Sequence, residues 1–238
     1  MSSIFPYFWN MKKLLLFFLL MPILGWSQTN FEKGEKLFLA KKYDEAQTVF
    51  ETILKAKPLD IKTLEYLGEI EAHQKSWVKG AEYFKKLKEL KPTVADYFFK
   101  YGGCLAMRAV EVNRIKAFGM VGDMKEAFEK AIELNPKHVQ ARWALIEIYL
   151  QLPGILGGSE SKAISYSNEL AQFSPVDGYL SRGRIDEYFE RYNSAEKNYK
   201  KADEIGNSKV TFQKLYNLYL NKLKDPKKAQ ELKRKFDV

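Results

Sequence analysis

The chain has 238 residues, 46% of them hydrophobic and 29% charged, with a formal net charge of +9. That balance excludes a disordered or collagen-like chain and fits one globular domain or one continuous array. The single cysteine, Cys104, excludes an intramolecular disulfide, and its apolar setting reads as a small buried hydrophobe.

Met11-Lys12-Lys13 followed by the apolar run Leu14 to Leu24 has the layout of a secretory signal, with small residues Gly25 and Ser27 where a peptidase cuts. The expected leader is therefore 1–27, with Met11 as an alternative true start and 28–238 as the exported part. The run falls short of the ~20 residues a spanning helix needs, although an uncleaved anchor is the competing reading. The expected location is the periplasm or the exterior, with no stable membrane insertion after cleavage.

From Phe31 onward, landmarks return at a fixed interval. Gly68 follows Gly34 by 34 residues, Phe84 follows Phe50 by 34, and Pro92 follows Pro58 by 34. Such a period signals stacked pairs of helices. The first pair is expected over Phe31–Ala40 and Tyr43–Ala56, the second over Ile61–His73 and Trp77–Leu90. Apolar residues recur at three- and four-residue spacing within each helix, and the prolines end the second helices. Gly68 and Gly80 cost helix propensity of ~1 kcal/mol each, which points to close approach of two backbones.

The third unit breaks the period, since Pro92 to Pro136 spans 44 residues. Tyr97, Tyr101, Leu105, Ala109, Val112, Ile115 and Phe118 keep helical spacing, so the surplus is assigned to one continuous first helix over 96–118. That helix would overhang its neighbours by roughly 15 Å. Gly119 and Gly122-Asp123 are expected to turn the chain into the second helix.

The fourth unit, Pro136 to Pro175, holds five extra residues in its internal turn, Leu152 to Ala163. Gly157, Gly158 and Ser159 before a helix, with Lys162 one turn in, suggest an anion-binding nest. The competing reading is a long turn with Ser159 as helix cap. The fifth unit runs over Asp177–Glu190 and Asn193–Ile205. A last pair, Val210–Leu223 and Pro226–Phe236, closes the array with a lysine-rich cap. Residues 222–238 hold seven basic and three acidic residues, so much of the positive excess sits in this tail. A basic tail without a stripe of stacking aromatics argues against nucleic-acid binding.

The Leu67-Gly68 step, the Gly34/Gly68/Gly102 and Phe50/Phe84/Phe128 series, and the run Ala127 to Pro136 resemble the tetratricopeptide repeat family over residues 29–238. The tryptophan common near the start of the family's first helices is missing. The long third unit with its PGxxGGSxxKA turn is similar to a subgroup of exported bacterial repeat proteins. The resemblance implies an all-α, right-handed superhelical solenoid of about five and a half helical hairpins, and a concave surface lined by first helices that binds a protein or peptide. In register with the family, Glu65, Glu69, His73, Phe99, Trp143, Glu147, Gln151, Arg184 and Tyr188 fall on that surface, with Phe99 and Trp143 equally readable as core.

Chemistry is otherwise sparse. His73 and His138 lie 65 residues apart without ligand-spaced partners, and both read as surface residues. No GxSxG, HExxH, CxxC or phosphate-loop pattern occurs. The expectation is a non-catalytic binding scaffold with no cofactor and no metal. The alternative is an enzyme or a binder of a small anionic ligand, using a pocket between the 96–118 helix and the Gly157-Gly158 turn, with Arg108, Arg114, Lys116 and Lys162 supplying charge.

Overall fold

The computed structural model describes residues 30–236, so the expected leader lies outside the described residues. Every regular element among them is helical, and no strand occurs. The described chain forms two compact units that meet in sequence at Pro92 and Thr93.

The first unit holds α1 (30–39), α2 (Tyr43–Ala56), α3 (Ile61–His73) and α4 (Trp77–Leu90). Helix α3 starts where the Asp60 side chain accepts from Thr63 N, an ordinary N-cap. Helices α2 and α4 lack a side-chain cap because each is entered through a tight turn from the helix before it. Lys41 and Lys75 take the left-handed conformation, and the next amide reaches five residues back, Lys42 N to Leu37 O and Ser76 N to Glu71 O. This Schellman closure satisfies the last carbonyls of α1 and α3 and folds each hairpin shut. Phe50, Ile53, Leu67 and Ile70 form the buried centre, and the Tyr66 ring stacks on Phe50 at 4.7 Å.

The glycine series explains how the hairpins close. A Cβ on Gly34 would stand 2.8 Å from the Phe50 ring, and one on Gly68 2.9 Å from the Phe84 ring. Each glycine lets a fully buried aromatic from the second helix lie against the backbone of the first. The aromatic follows its glycine by 16 residues in both hairpins.

The second unit holds α5 (Ala95–Glu111), α6 (Arg114–Leu134), α7 (Val139–Gln151), α8 (Glu160–Phe173), α9 (Pro175–Tyr188), α10 (Tyr192–Gly206), α11 (Lys209–Asn217) and α12 (Pro226–Phe236). Here the sequence-based expectation needs correction. The helix expected over 96–118 ends at Glu111, and α6 begins at Arg114 with the Asn113 side chain capping Lys116 N. Gly119 and Gly122 lie inside α6 rather than in a turn, with open space around both. The ten surplus residues are shared by both arms: α5 is longer than α3 by about one turn, and α6 is longer than α4 by about two. The Gly102–Phe128 contact survives, although 26 residues now separate the pair.

In the fourth hairpin the sizes are reversed. By count from Pro136, Ile146 occupies the glycine position and Ser167 the aromatic one, and both are buried. In the fifth, Gly183 and Tyr199 restore the small-under-aromatic order, and Glu190 and Arg191 repeat the left-handed turn of the first unit. The last pair departs from regularity, because α11 widens into a π-helical turn over Leu218–Leu223 before α12. Two apolar clusters fill the unit, one around Phe128, Leu145 and Ile146, the other around Tyr199, Leu215 and Leu218. Trp143 packs against both.

Candidate binding surfaces

In the second unit the first helices of adjoining pairs, α7 and α9, are tied side by side. Arg184 donates two hydrogen bonds to Glu147, Nε to Oε1 at 2.8 Å and Nη2 to Oε2 at 3.0 Å. Burial works against the charge on Arg184, but the Glu147 carboxylate outweighs it and holds the guanidinium above its ordinary pKa. One turn on, the guanidinium lies 5.7 Å from the centre of the exposed Tyr188 ring. Trp143 Nε1 donates to Asp177 Oδ1 at 2.8 Å, which leaves a half-buried indole with its polar edge satisfied. Four sequence-predicted residues, Trp143, Glu147, Arg184 and Tyr188, therefore share one face. Gln151, at the end of α7, is exposed.

Other predicted residues fall elsewhere. Phe99 on α5 is half-buried and packs against Phe128 and His138. In the first unit Glu65 and Glu69 are half-buried on α3, and the exposed His73 ring stacks on Tyr43 at 4.7 Å. His138, expected at the surface, is instead 4% exposed. Its Nδ1 accepts from Ala141 N at 3.2 Å and caps α7, so the ring proton sits on Nε2, 3.4 Å from Asp96 Oδ1. The imidazole is buried because Phe99 covers it, a contact 39 residues away in sequence.

The expected anion nest has a specific geometry. Gly157 N donates to Gly154 O, Gly158 N to Pro153 O, and Ser159 N to Tyr149 O, all between 3.0 and 3.1 Å. These amides close the turn on itself, and Gly157 takes a left-handed φ of 91°. Ser159 caps α8 by accepting from Lys162 N. The Lys162 ammonium lies 5.3 Å from the centre of the Tyr149 ring. Beside this turn, between it and the long hairpin, lies an open cleft of about 760 Å³. Its walls are Val110, Phe118 and Val121 on one side and Ile148, Leu152 and Leu156 on the other, and Arg114 is its one charged lining residue.

Sequence reasoning passed over two buried carboxylates among the described residues, Glu71 and Asp186. Glu71 accepts from Gln47 at 3.0 Å, and Asp186, in register with it, accepts from Arg191 and Asn198 at 2.9 Å each. A single acidic residue on a polar helix gives no signal of burial, and the repeat register is the one clue that pairs these two. Among the described residues no group of three or more metal-ligating side chains occurs, and no helix is long and apolar enough to cross a membrane.

A tetratricopeptide repeat model matches residues 32–95, and a second one matches residues 119–138. A thermophilic repeat protein of Thermus thermophilus superposes with a TM-score of 0.62 at 18% identity, covering 82% of this chain and 99% of that one. The fold is that of tetratricopeptide-repeat proteins. YrrB, described as such a protein with an unusual peptide-binding site, superposes with a TM-score of 0.55 at 15% identity, covering 76% of this chain and 87% of its own. The RNA polymerase-associated protein CTR9 of Caenorhabditis elegans is 29% identical over 105 residues, which are 44% of this chain and 8% of that relative.

As a tetratricopeptide-repeat fold, the chain presents its first helices as a common face within each unit. The linked pair α7 and α9 is the best-defined part of that face, because their side chains are held by each other rather than by solvent.

Proposed function

We propose that this protein is a non-catalytic scaffold of the cell envelope that binds a peptide or protein segment on the face of its first helices. The observation that carries the reading is the Glu147–Arg184 pair. It locks α7 to α9 and leaves the flanking Tyr188 and Gln151 exposed for a guest. An exposed tyrosine beside a fixed guanidinium offers an apolar plane and a directed charge, the side-chain chemistry that dominates peptide interfaces. The peptide-binding site named for YrrB supports the same class of ligand. Export rests on the leader-like segment 1–27 and is tested by following where the chain accumulates in fractionated cells.

The binding experiment uses the full chain as bait in envelope extract, followed by direct titration of each captured protein after purification. Tyr188→Ala and Gln151→Ala leave the Glu147–Arg184 link in place. The partner's affinity should fall with these changes while the far-ultraviolet spectrum stays constant. Partners that bind both variants as tightly as the wild type would overturn the reading.

A further inference from the structure

The three most exposed large hydrophobic side chains among the described residues are Val110, Ile115 and Ile155, at 81%, 86% and 95%. Single exposed hydrophobes are ordinary. These three are not scattered. Val110 lines the 760 Å³ cleft, Ile115 adjoins its lining residue Arg114, and Ile155 sits between lining residues Pro153 and Leu156. The cleft and its lips thus form one apolar surface, made by the ten surplus residues of the long hairpin on one side and the five-residue turn insertion on the other. Both departures from the 34-residue period build the same feature.

Charge selects the occupant. Arg114 lies at the cleft, is exposed, and makes no ion pair within the described chain, and the exposed Lys116 beside it makes none either. The acidic side chain nearest in sequence, Glu111, is held by Arg108 at 3.1 Å. An apolar trough with an unanswered cation at its mouth fits a guest that carries apolar anchors next to a carboxylate. A second copy of this chain would bring the same cationic rim and an overall +9 charge against it. A flat bilayer surface would leave the recessed walls, such as Ile148, unfilled.

We propose that this cleft docks an acidic segment of a partner protein with apolar anchor residues. The site meets the α7–α9 face at Gln151, which lines the cleft, whereas Glu147, Arg184 and Tyr188 do not line it.

A random 16-residue peptide library displayed on phage, selected on the full chain and counter-selected on the Phe118→Asp variant, tests this. Selected peptides should combine apolar positions with an excess of Asp and Glu. They should bind Val110→Asp and Ile155→Asp about tenfold or more weakly, the loss typical of an anchor contact. Both positions are exposed, so the fold can be verified by circular dichroism, and Tyr188→Ala should leave the affinity unchanged. Arg114→Glu should weaken acidic peptides and strengthen versions with Lys in place of Asp and Glu. Failure to recover cleft-dependent peptides, or recovery without acidic preference, overturns the proposal. So does dimerisation in light scattering that Ile155→Asp abolishes, or Ile155-dependent binding to phosphatidylcholine–phosphatidylglycerol vesicles.

Discussion

Tyr199 covers Gly183 so closely that a methyl group on the glycine would run into ring atoms Cδ1 and Cε1. Tyr199 is itself anchored, because its hydroxyl donates to Glu187 at 2.8 Å and its ring is fully buried. The ring therefore cannot retreat without breaking a partly buried hydrogen bond. Gly183→Ala should destabilise the protein by about 2 kcal/mol, the cost of overpacking a closed core. At Gly102 the same methyl would meet Phe128 at 3.0 Å, and the helix-propensity gain offsets the strain. Gly102→Ala should therefore change stability by less than about 1 kcal/mol. Thermal unfolding of the two variants separates these outcomes.

Gly119 and Gly122 offer the opposite case. Both lie within α6 with nothing near enough to meet an added methyl. Gly119→Ala and Gly122→Ala should each stabilise by up to about 1 kcal/mol. A drop in melting temperature for either would show that the chain turns there instead of continuing as a helix.

Gly158 is needed for clearance. A methyl at this position would collide with the carbonyl oxygen of Leu152. Gly158→Ala should cost about 3 kcal/mol, in the presence or absence of phosphate. Stabilisation of the wild type by phosphate, lost in the variant, would instead favour an anion at the turn.

His138 should make stability fall on acidification. Burial holds its imidazole below the ordinary pKa, with Asp96 opposing in part and Arg142 adding to the depression. A depressed imidazole favours the neutral form in the folded protein. Its contribution is complete above the unfolded pKa of about 6.5 and is lost as the pH falls below it. Protonation would also remove the Nδ1 lone pair that accepts from Ala141 N. The His138→Asn variant keeps an acceptor for that amide and removes the ionisable group. Its melting temperature should drop less than that of the wild type between pH 7 and pH 5.

The Glu147–Arg184 pair should be worth measuring as a coupling. Both side chains are partly solvated, so the bidentate geometry is expected to yield about 1 kcal/mol, at the upper end for exposed pairs. A double-mutant cycle with Glu147→Gln and Arg184→Gln reads this value directly. Coupling indistinguishable from zero would mean that α7 and α9 are held by Trp143 and the core alone.

Much of this architecture was legible beforehand because its determinants are local. The helices Tyr43–Ala56, Ile61–His73 and Trp77–Leu90 have the bounds that periodicity and the closing prolines predict. The break at Val112-Asn113 was not legible. Ile115 and Phe118 continue the apolar spacing of α5, yet both are exposed on α6, so the pattern ran on across a turn without a shared buried face behind it. Glycines at 119 and 122 then imitated the turn that had been missed. On the candidate face, Glu147 and Arg184 could be paired from the repeat register, since they occupy neighbouring first helices. Tyr188 and Trp143 came with the same register, but Asp177, which accepts from Trp143, did not, because its role depends on where an indole edge happens to point. His138 was misread for a similar reason: what hides it is Phe99, from another helix.

The meeting of Gly102 with Phe128 has one more implication. That joint closes as it does in the regular hairpins, although ten residues were added beyond it. The added length hangs from the joint like an interchangeable tool head on a fixed handle. Variation at the tip can thereby reshape the cleft while the helices that bear it stay as they are.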